Sequence, residues 1–325
     1  MKSKKWIGLF MILSFLSIGS VGFFNYFIDP FNIFSHRHGL NSLAVDFNER
    51  LQKSAYLKYN STQDYDAVLL GSSRATFYNS TMFKGMKLYN FSFSGSSPLE
   101  YNDYLDYAKK NNNRAFKTII LGLDFYTFNN NYQQEALPKI GNKFSFFLKN
   151  YFSLDTMKYS IINVKRSLFQ TTGHRSYDRE NIVHSDAVEV ARVRTLSKQR
   201  SKLYYASFDD YNRGYAETLE SLKVNNKASK FIVYTSPLSK DFLEVIYEDE
   251  KLRKLYLMWL ESILSVFDEV YCFTVPSEFS ENYEQYSIDG DHFYPEVGHI
   301  IADVLTNHQN IAGYGVMLNK NNNED

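Results

Sequence analysis

The chain has 325 residues, 44% hydrophobic and 22% charged, a balance that excludes a wholly disordered polypeptide. Lys plus Arg and Asp plus Glu stand at 36 each, which argues against nucleic acid as the main partner, because phosphate binding leaves a basic excess. The single cysteine, Cys272, excludes an intramolecular disulfide framework and a thiolate zinc cluster.

From Trp6 to Ile28 no residue is charged. As a helix this run is about 35 Å long, against a hydrocarbon core of about 30 Å. Lys2, Lys4 and Lys5 precede it, and Asp29-Pro30 ends it. The pattern predicts a single-pass anchor over residues 1–29 in the cytoplasmic membrane. The positive-inside rule puts its N-terminus in the cytoplasm and the main domain on the periplasmic or extracellular side. The competing reading is a cleaved signal peptide, with a small-x-small site at Ser17-Ile18-Gly19. The apolar run continues past that site, which favours the anchor.

Residues 30–318 alternate short apolar runs with helical patterns. Strands are expected at Ala67–Gly71, Lys87–Phe91, Lys117–Leu123, Phe231–Thr235 and Glu269–Thr274. Helices are expected at Pro98–Lys110, Lys240–Phe267 and Pro295–Leu305. Such alternation predicts an α/β domain, a parallel sheet with helices on both faces and its site at the carboxyl ends of the strands. Between about 125 and 211 the pattern changes. Asn129-Asn130-Asn131, Pro138 and Gly141 open a loop-rich stretch. An apolar-aromatic helix over Phe144–Phe169 and a polar, irregular stretch over Gly173–Asp186 follow. This region is expected to be an inserted lid or subdomain over the active face. The polar tail, 319–325, is expected to be disordered.

Three short blocks carry the chemistry. Gly71-Ser72-Ser73-Arg74 ends the first strand, where a serine is exposed and a following helix N-terminus would offer N–H groups to an oxyanion. Taken alone, the block also fits a helix-capping turn. Phe91-Ser92-Phe93-Ser94-Gly95-Ser96-Ser97-Pro98 follows the second strand, and its small residues allow close backbone approach to a ligand. The bland reading is a flexible loop. In Asp289-Gly290-Asp291-His292, before the last helix, the spacing can set a carboxylate against an imidazole and fix its tautomer. A metal reading of the same turn would use Asp289, Asp291, His292 and His299, without a recognisable ligand spacing.

With these blocks in this order, the chain resembles the SGNH (GDSL-type) hydrolase superfamily. It is most similar to the membrane-anchored branch that includes alginate O-acetylation and teichoic-acid D-alanylation proteins. The apolar span, Asp29-Pro30 and Gly71-Ser72-Ser73 carry that likeness. The resemblance implies a three-layer, flavodoxin-like α/β fold and a Ser-His-Asp triad. Ser73 would be the nucleophile, His292 the general base and Asp289 its orienting carboxylate. The N–H groups of Ser73 and Gly95 would form the oxyanion hole. Two positions depart from the family pattern: Ser72 stands where the signature has Asp, and Asp124 where it has Asn. An ionised Asp124 would repel an oxyanion, and losing an oxyanion donor can cost about 10²–10³ in rate.

The expected function is therefore serine acyl transfer, an esterase or O-acyltransferase acting on cell-surface polysaccharide or its acyl donor. A membrane-bound O-acyltransferase is an implied partner, and no metal or organic cofactor is implied. The alternative is a catalytically inactive, glycan-binding or assembly component of polysaccharide biosynthesis. A third reading is a phosphoesterase or metal hydrolase built on the Asp-Gly-Asp-His turn.

Arg74 and Asp124 are possible substrate-binding residues. Arg192, Arg194, Lys198, Arg200 and Lys202 form a basic stretch, read as a solvated helix face in preference to an acidic-polymer or lipid contact. Pro237 follows the fourth strand near the active edge. His36, His38, His174, His184 and His308 are expected at the surface, and Cys272 as a buried small hydrophobe.

Overall fold

The protein is described by a computed structural model covering residues 2–34, 36–45, 47–60, 64–132, 134–307 and 310–320. In chain order its elements are α1 (Lys2–Ile28), β1 (Ala44–Val45), α2 (Glu49–Tyr59), β2 (Ala67–Leu70), β3 (Leu88–Asn90), α3 (Pro98–Asn111) and β4 (Thr118–Leu123). Then come α4 (Lys143–Tyr151), α5 (Leu154–Phe169), β5 (Ser176–Tyr177), β6 (Val183–His184), α6 (Val190–Tyr205), α7 (Tyr215–Val224) and β7 (Lys230–Thr235). The chain closes with α8 (Lys240–Glu248), α9 (Glu250–Val266), β8 (Glu269–Cys272), α10 (Glu278–Glu281), α11 (Tyr283–Tyr286), α12 (Pro295–Asn307) and β9 (Val316–Asn319). Contacts divide it into two units: Met1–Asn60 with Pro138–Asp186, and Ser61–Leu137 with Ala187–Asp325.

The second unit is built on a six-stranded sheet of order β3-β2-β4-β7-β8-β9. The first five strands are parallel neighbours, and β9 closes the edge antiparallel to β8. The sheet is therefore mixed and mostly parallel rather than wholly parallel. Its central strands are unbroken apolar runs because both faces are covered: Val68 to Leu70 and Ile119 to Leu121 have no exposed surface. The chain steps from β2 to β3 in one direction and then to β4, β7 and β8 in the other. Right-handed crossovers send the connections to opposite faces when the direction reverses. Accordingly α3, α7 and α9 pack together, while α12 packs on the 3₁₀ turns Ala75–Phe77 and Ser80–Met82. The reversal point lies between the carboxyl ends of β2 and β4.

The first unit holds α1, α2, α4, α5 and a small antiparallel sheet of order β1-β5-β6. Its core gathers Phe31, Ile33, Val45, Phe47, Phe146 and Tyr151. The polar 173–186 stretch is thus partly ordered as the β5–β6 ladder. Asp29, at a φ of 50°, turns the chain as it leaves α1. Its carboxylate accepts from the Ile33 and Phe34 N–H groups, the Tyr151 hydroxyl and the Arg179 guanidinium. α1 is apolar and long enough to be a signal sequence or a membrane anchor.

Several expectations change at this level. The region around 125–211 is not one insertion, because 125–137 and 187–211 belong to the sheet unit and only 138–186 joins the N-terminal segment. The helix expected over 144–169 is two, broken at Phe152 and restarted by Ser153, whose hydroxyl caps the Thr156 N–H. The helix expected over 240–267 is broken at Asp249, which caps Leu252 in the same way. Asn319 closes β9 instead of opening a tail; residues 321–325, like His308, lie outside the described residues.

Candidate active site

Ser73 stands just past the end of β2. Gly71 makes its turn possible, since a Cβ there would lie 2.5 Å from that of Ala75. The expected α-helix N-terminus is absent at this point, and the turn runs into a single 3₁₀ turn, Ala75–Phe77. Ser73 is half-buried, while Ser72 and Arg74 on either side are buried. The loop after β3 is strapped to the same turn: Phe93 N–H and the Ser96 hydroxyl both donate to the Gly71 carbonyl. Its Gly95 has a φ of 62°, a backbone state that favours glycine. The Ser97 N–H then donates to the Glu100 carboxylate at the start of α3.

His292 reaches Ser73 from the far end of the chain. Its Nε2 lies 2.8 Å from Ser73 Oγ, across a sequence separation of 219. Its Nδ1 lies 2.9 and 3.1 Å from the two oxygens of Asp289. The turn is self-supporting. Asp289 Oδ1 also accepts the His292 N–H at 2.9 Å, and the Ile288 N–H donates to the His292 carbonyl. Gly290 adopts a φ of 94°, and a Cβ there would lie 2.4 Å from Ser197 Oγ and 2.9 Å from Ser239 Oγ. Ser239 N–H donates to the Gly290 carbonyl, so the segment after β7 that contains Pro237 braces the turn.

Behind the relay lies a buried charge network. Arg74 donates to Asp124 at 2.9 Å and to Asp291 at 3.3 Å, and all three side chains are almost fully buried. Arg200, from α6, donates to both oxygens of Asp291 at 2.7 and 3.1 Å and comes within 3.4 Å of Asp289. Burial works against the charge on each guanidinium, but the neighbouring aspartates outweigh it and hold both firmly protonated. Tyr126 and Tyr204 lie against Arg74, at 5.1 and 5.7 Å from ring centroid to guanidinium carbon, and burial raises both phenols. Three aspartates face two arginines here. The remaining negative charge would complement an imidazolium at His292.

This network corrects two expectations. Arg74 and Asp124 are not open to substrate; they are buried and spent on each other and on Asp291. The ionised Asp124, expected to repel an oxyanion, is neutralised by Arg74. Asp289 and Asp291 are likewise held by arginines, which leaves a cation little to gain, and His299 is exposed and paired with Asp303 at 3.9 Å. Arg200 was hidden in the basic stretch, although Arg194 does pair at the surface with Glu284 as a solvated face would. Of the histidines expected at the surface, His174 is exposed and His36, His38 and His184 are half-buried; His38 stacks on Phe27 at 4.1 Å and His36 lies 5.1 Å from Tyr26. Cys272 is buried, and burial raises its thiol, so it is inert.

Ser73 and Gly95 line one cavity of about 360 Å³ together with Tyr126, Asn129, Asn131, Tyr132, Tyr204 and Ser207. The lining has three aromatic rings and two amides and, among the described residues, no charged side chain. The Tyr132 hydroxyl donates to the Gly95 carbonyl, tying the wall to the loop. These tyrosines and asparagines carry no motif. The signal for Tyr126, Asn129, Asn131 and Tyr132 in the sequence is the crowding of Asn and Tyr just after β4; Tyr204, on α6, has none.

No family model and no curated protein matches the chain. A solved structure from Streptococcus pneumonia, provisionally described as a platelet activating factor, is similar at 10% identity and a TM-score of 0.40, over 80% of this chain and 90% of that one.

Proposed function

We propose that the sheet-bearing unit is a serine acyl-transfer domain of the SGNH type, acting on an ester of a neutral sugar. The observation that carries this reading is the Ser73–His292–Asp289 relay, beside the reversal point of a mostly parallel sheet. The order of the five parallel strands, flavodoxin-like, supports it. Ser73 Oγ attacks the ester carbonyl and passes its proton to His292 Nε2. Asp289 holds the imidazole in the required tautomer and stabilises the imidazolium. The Ser73 and Gly95 N–H groups receive the oxyanion. The C–O bond to the departing alcohol then breaks, and His292 returns the proton to that oxygen. Water or a second hydroxyl gives its proton to His292 as it attacks the acyl-enzyme; the acyl–Oγ bond then breaks and His292 returns the proton to Ser73 Oγ, yielding hydrolysis or transfer. The uncharged, tyrosine-rich cavity suits a sugar ring, which aromatic faces and amides bind without ion pairing.

In the same reading α1 is a retained anchor, the N-terminus is cytoplasmic and the acyl-transfer domain faces the cell surface. Polysaccharide or its acyl donor is the substrate, and a membrane-bound O-acyltransferase the partner that supplies acyl groups. An inactive glycan-binding component is the rival. Its best support was the charge of Asp124, which Arg74 neutralises. The deciding experiment exposes the protein to a serine-directed fluorophosphonate and maps the adduct. Labelling of Ser73 should fall by about 10⁴-fold in His292→Ala. A folded protein that never labels would favour the binding component.

A further inference from the structure

The helix α5 is built inside out. Its buried face carries Thr156, Ser160, Asn163 and Ser167, all small and polar. Its outward face carries Leu154, Ile161, Leu168 and Phe169, with Leu154 63% and Phe169 73% exposed, beside an exposed Asp155–Lys158 ion pair and Lys165. A helix packed on a water-soluble domain shows the reverse pattern. Small polar residues inside and apolar residues outside are the pattern of helices packed together in lipid. Three of the four side chains on the buried face are hydrogen-bonded. Ser160 donates to Asn25 Oδ1, the Val45 N–H donates to Asn163, and the Leu43 N–H donates to Ser167. α4 continues the outward apolar surface with Phe144 and Leu148.

The partner of this surface follows from α1. Both α4 and α5 pack on its C-terminal end. Phe152, between them, sits where a Cβ on Gly22 would fall, and the Asn25 amide donates to the Tyr151 and Ser153 carbonyls. N-terminal to Gly22, the uncharged part of α1 from Trp6 to Val21 stands largely bare. That stretch is about 24 Å long at 1.5 Å per residue, shorter than a hydrocarbon core of about 30 Å. A bilayer that α1 crosses therefore reaches the level of Gly22 to Asn25, where α4 ends and α5 begins. Lys158 and Lys165, both exposed on α5, have stems long enough to carry their charge up to the headgroups.

We propose that α4 and α5 lie in the membrane interface, their outward faces against the acyl-chain boundary of the bilayer that α1 enters. The inference rests on the reading of α1 as a retained anchor, and its test separates the two. Full-length protein is placed in vesicles of phosphatidylcholine with a minor share of phosphatidylglycerol. Spin labels are attached to Phe15→Cys, Leu154→Cys, Ile161→Cys and Leu168→Cys, and collision with oxygen and with a water-soluble nickel chelate is measured. Free label in buffer is the water reference. Labels at 154, 161 and 168 should shift from the water value toward that at 15, with oxygen gaining over nickel. Water-like values at all three, with a lipid-like value at 15, overturn the seat and leave the anchor. Water-like values at all four overturn both. Protection from both reagents at 154, 161 and 168 means that protein covers this face, and also overturns the proposal.

Discussion

Asp289 is shared between a histidine and an arginine, and each partner sets part of its position. His292 takes it at 2.9 Å, while Arg200 approaches at 3.4 Å and grips the neighbouring Asp291. Arg200→Gln removes a charged hydrogen bond of about 1.5–3 kcal/mol, so fluorophosphonate labelling of Ser73 should slow by about 10–100-fold. Arg200→Lys should recover part of that rate with unchanged circular dichroism; equal loss in both variants with a lowered melting temperature would point to a purely structural role. Gly290→Ala meets a positive φ and a 2.4 Å clash at once, and should cost about 1–3 kcal/mol of stability as well as labelling rate. At this scale Ser73, Asp289 and His292 were legible, because short motifs carry them. Arg200 was not: a lysine- and arginine-rich helix reads as solvated until the turn before α12, which carries its partners, is in place. Asp124 was visible as a departure from a family pattern, but its neutraliser, Arg74, lies 50 residues away.

Element boundaries were set by single caps rather than by the apolar pattern. The periodicity over 240–267 runs through Asp249 without a pause, and only the carboxylate capping Leu252 marks the restart at α9. Asp249→Ala should lower stability by about 1 kcal/mol, read as a small fall in the denaturant midpoint with an unchanged slope. A change in slope would instead mean that α8 and α9 had lost their separate packing. The strands were legible because both faces of a parallel sheet demand unbroken apolar runs. β9 was missed for the complementary reason. Val316 to Asn319 is an antiparallel edge strand with no fully buried residue, so it carries no such run.

Over the whole molecule, tyrosine is the dominant buried acid. Tyr78, Tyr101, Tyr126, Tyr234 and Tyr256 are all pushed above the ordinary phenol value, first by burial. A phenol whose folded value lies above its unfolded value of about 10 adds stability that is intact below that pH and is lost as pH rises through the folded value. The protein should therefore unfold cooperatively in alkali above about pH 10, with phenolate absorbance and loss of circular dichroism appearing together. Smooth phenolate titration with the fold retained would contradict the burial of these rings. Composition announced the aromatics but not this consequence, since a count of Tyr does not say which hydroxyls leave water. The two-unit division was equally hidden, because residues 138–186 share no sequence signal with the N-terminal segment they pack on.

On the proposed reading of α1 as an anchor, the turn at Asp29 removes the swivel expected where an anchor meets its cargo. Four groups converge on one carboxylate there, from the two residues Ile33 and Phe34, from the end of α4 at Tyr151, and from Arg179 beyond β5. An anchor followed by a slack linker works as a leash, letting its cargo sample a volume. Here the first unit is mortised to the helix and must share its tilt, so in the proposed anchored state a change in bilayer thickness that tilts α1 would be felt directly by α4, α5 and the β1-β5-β6 sheet.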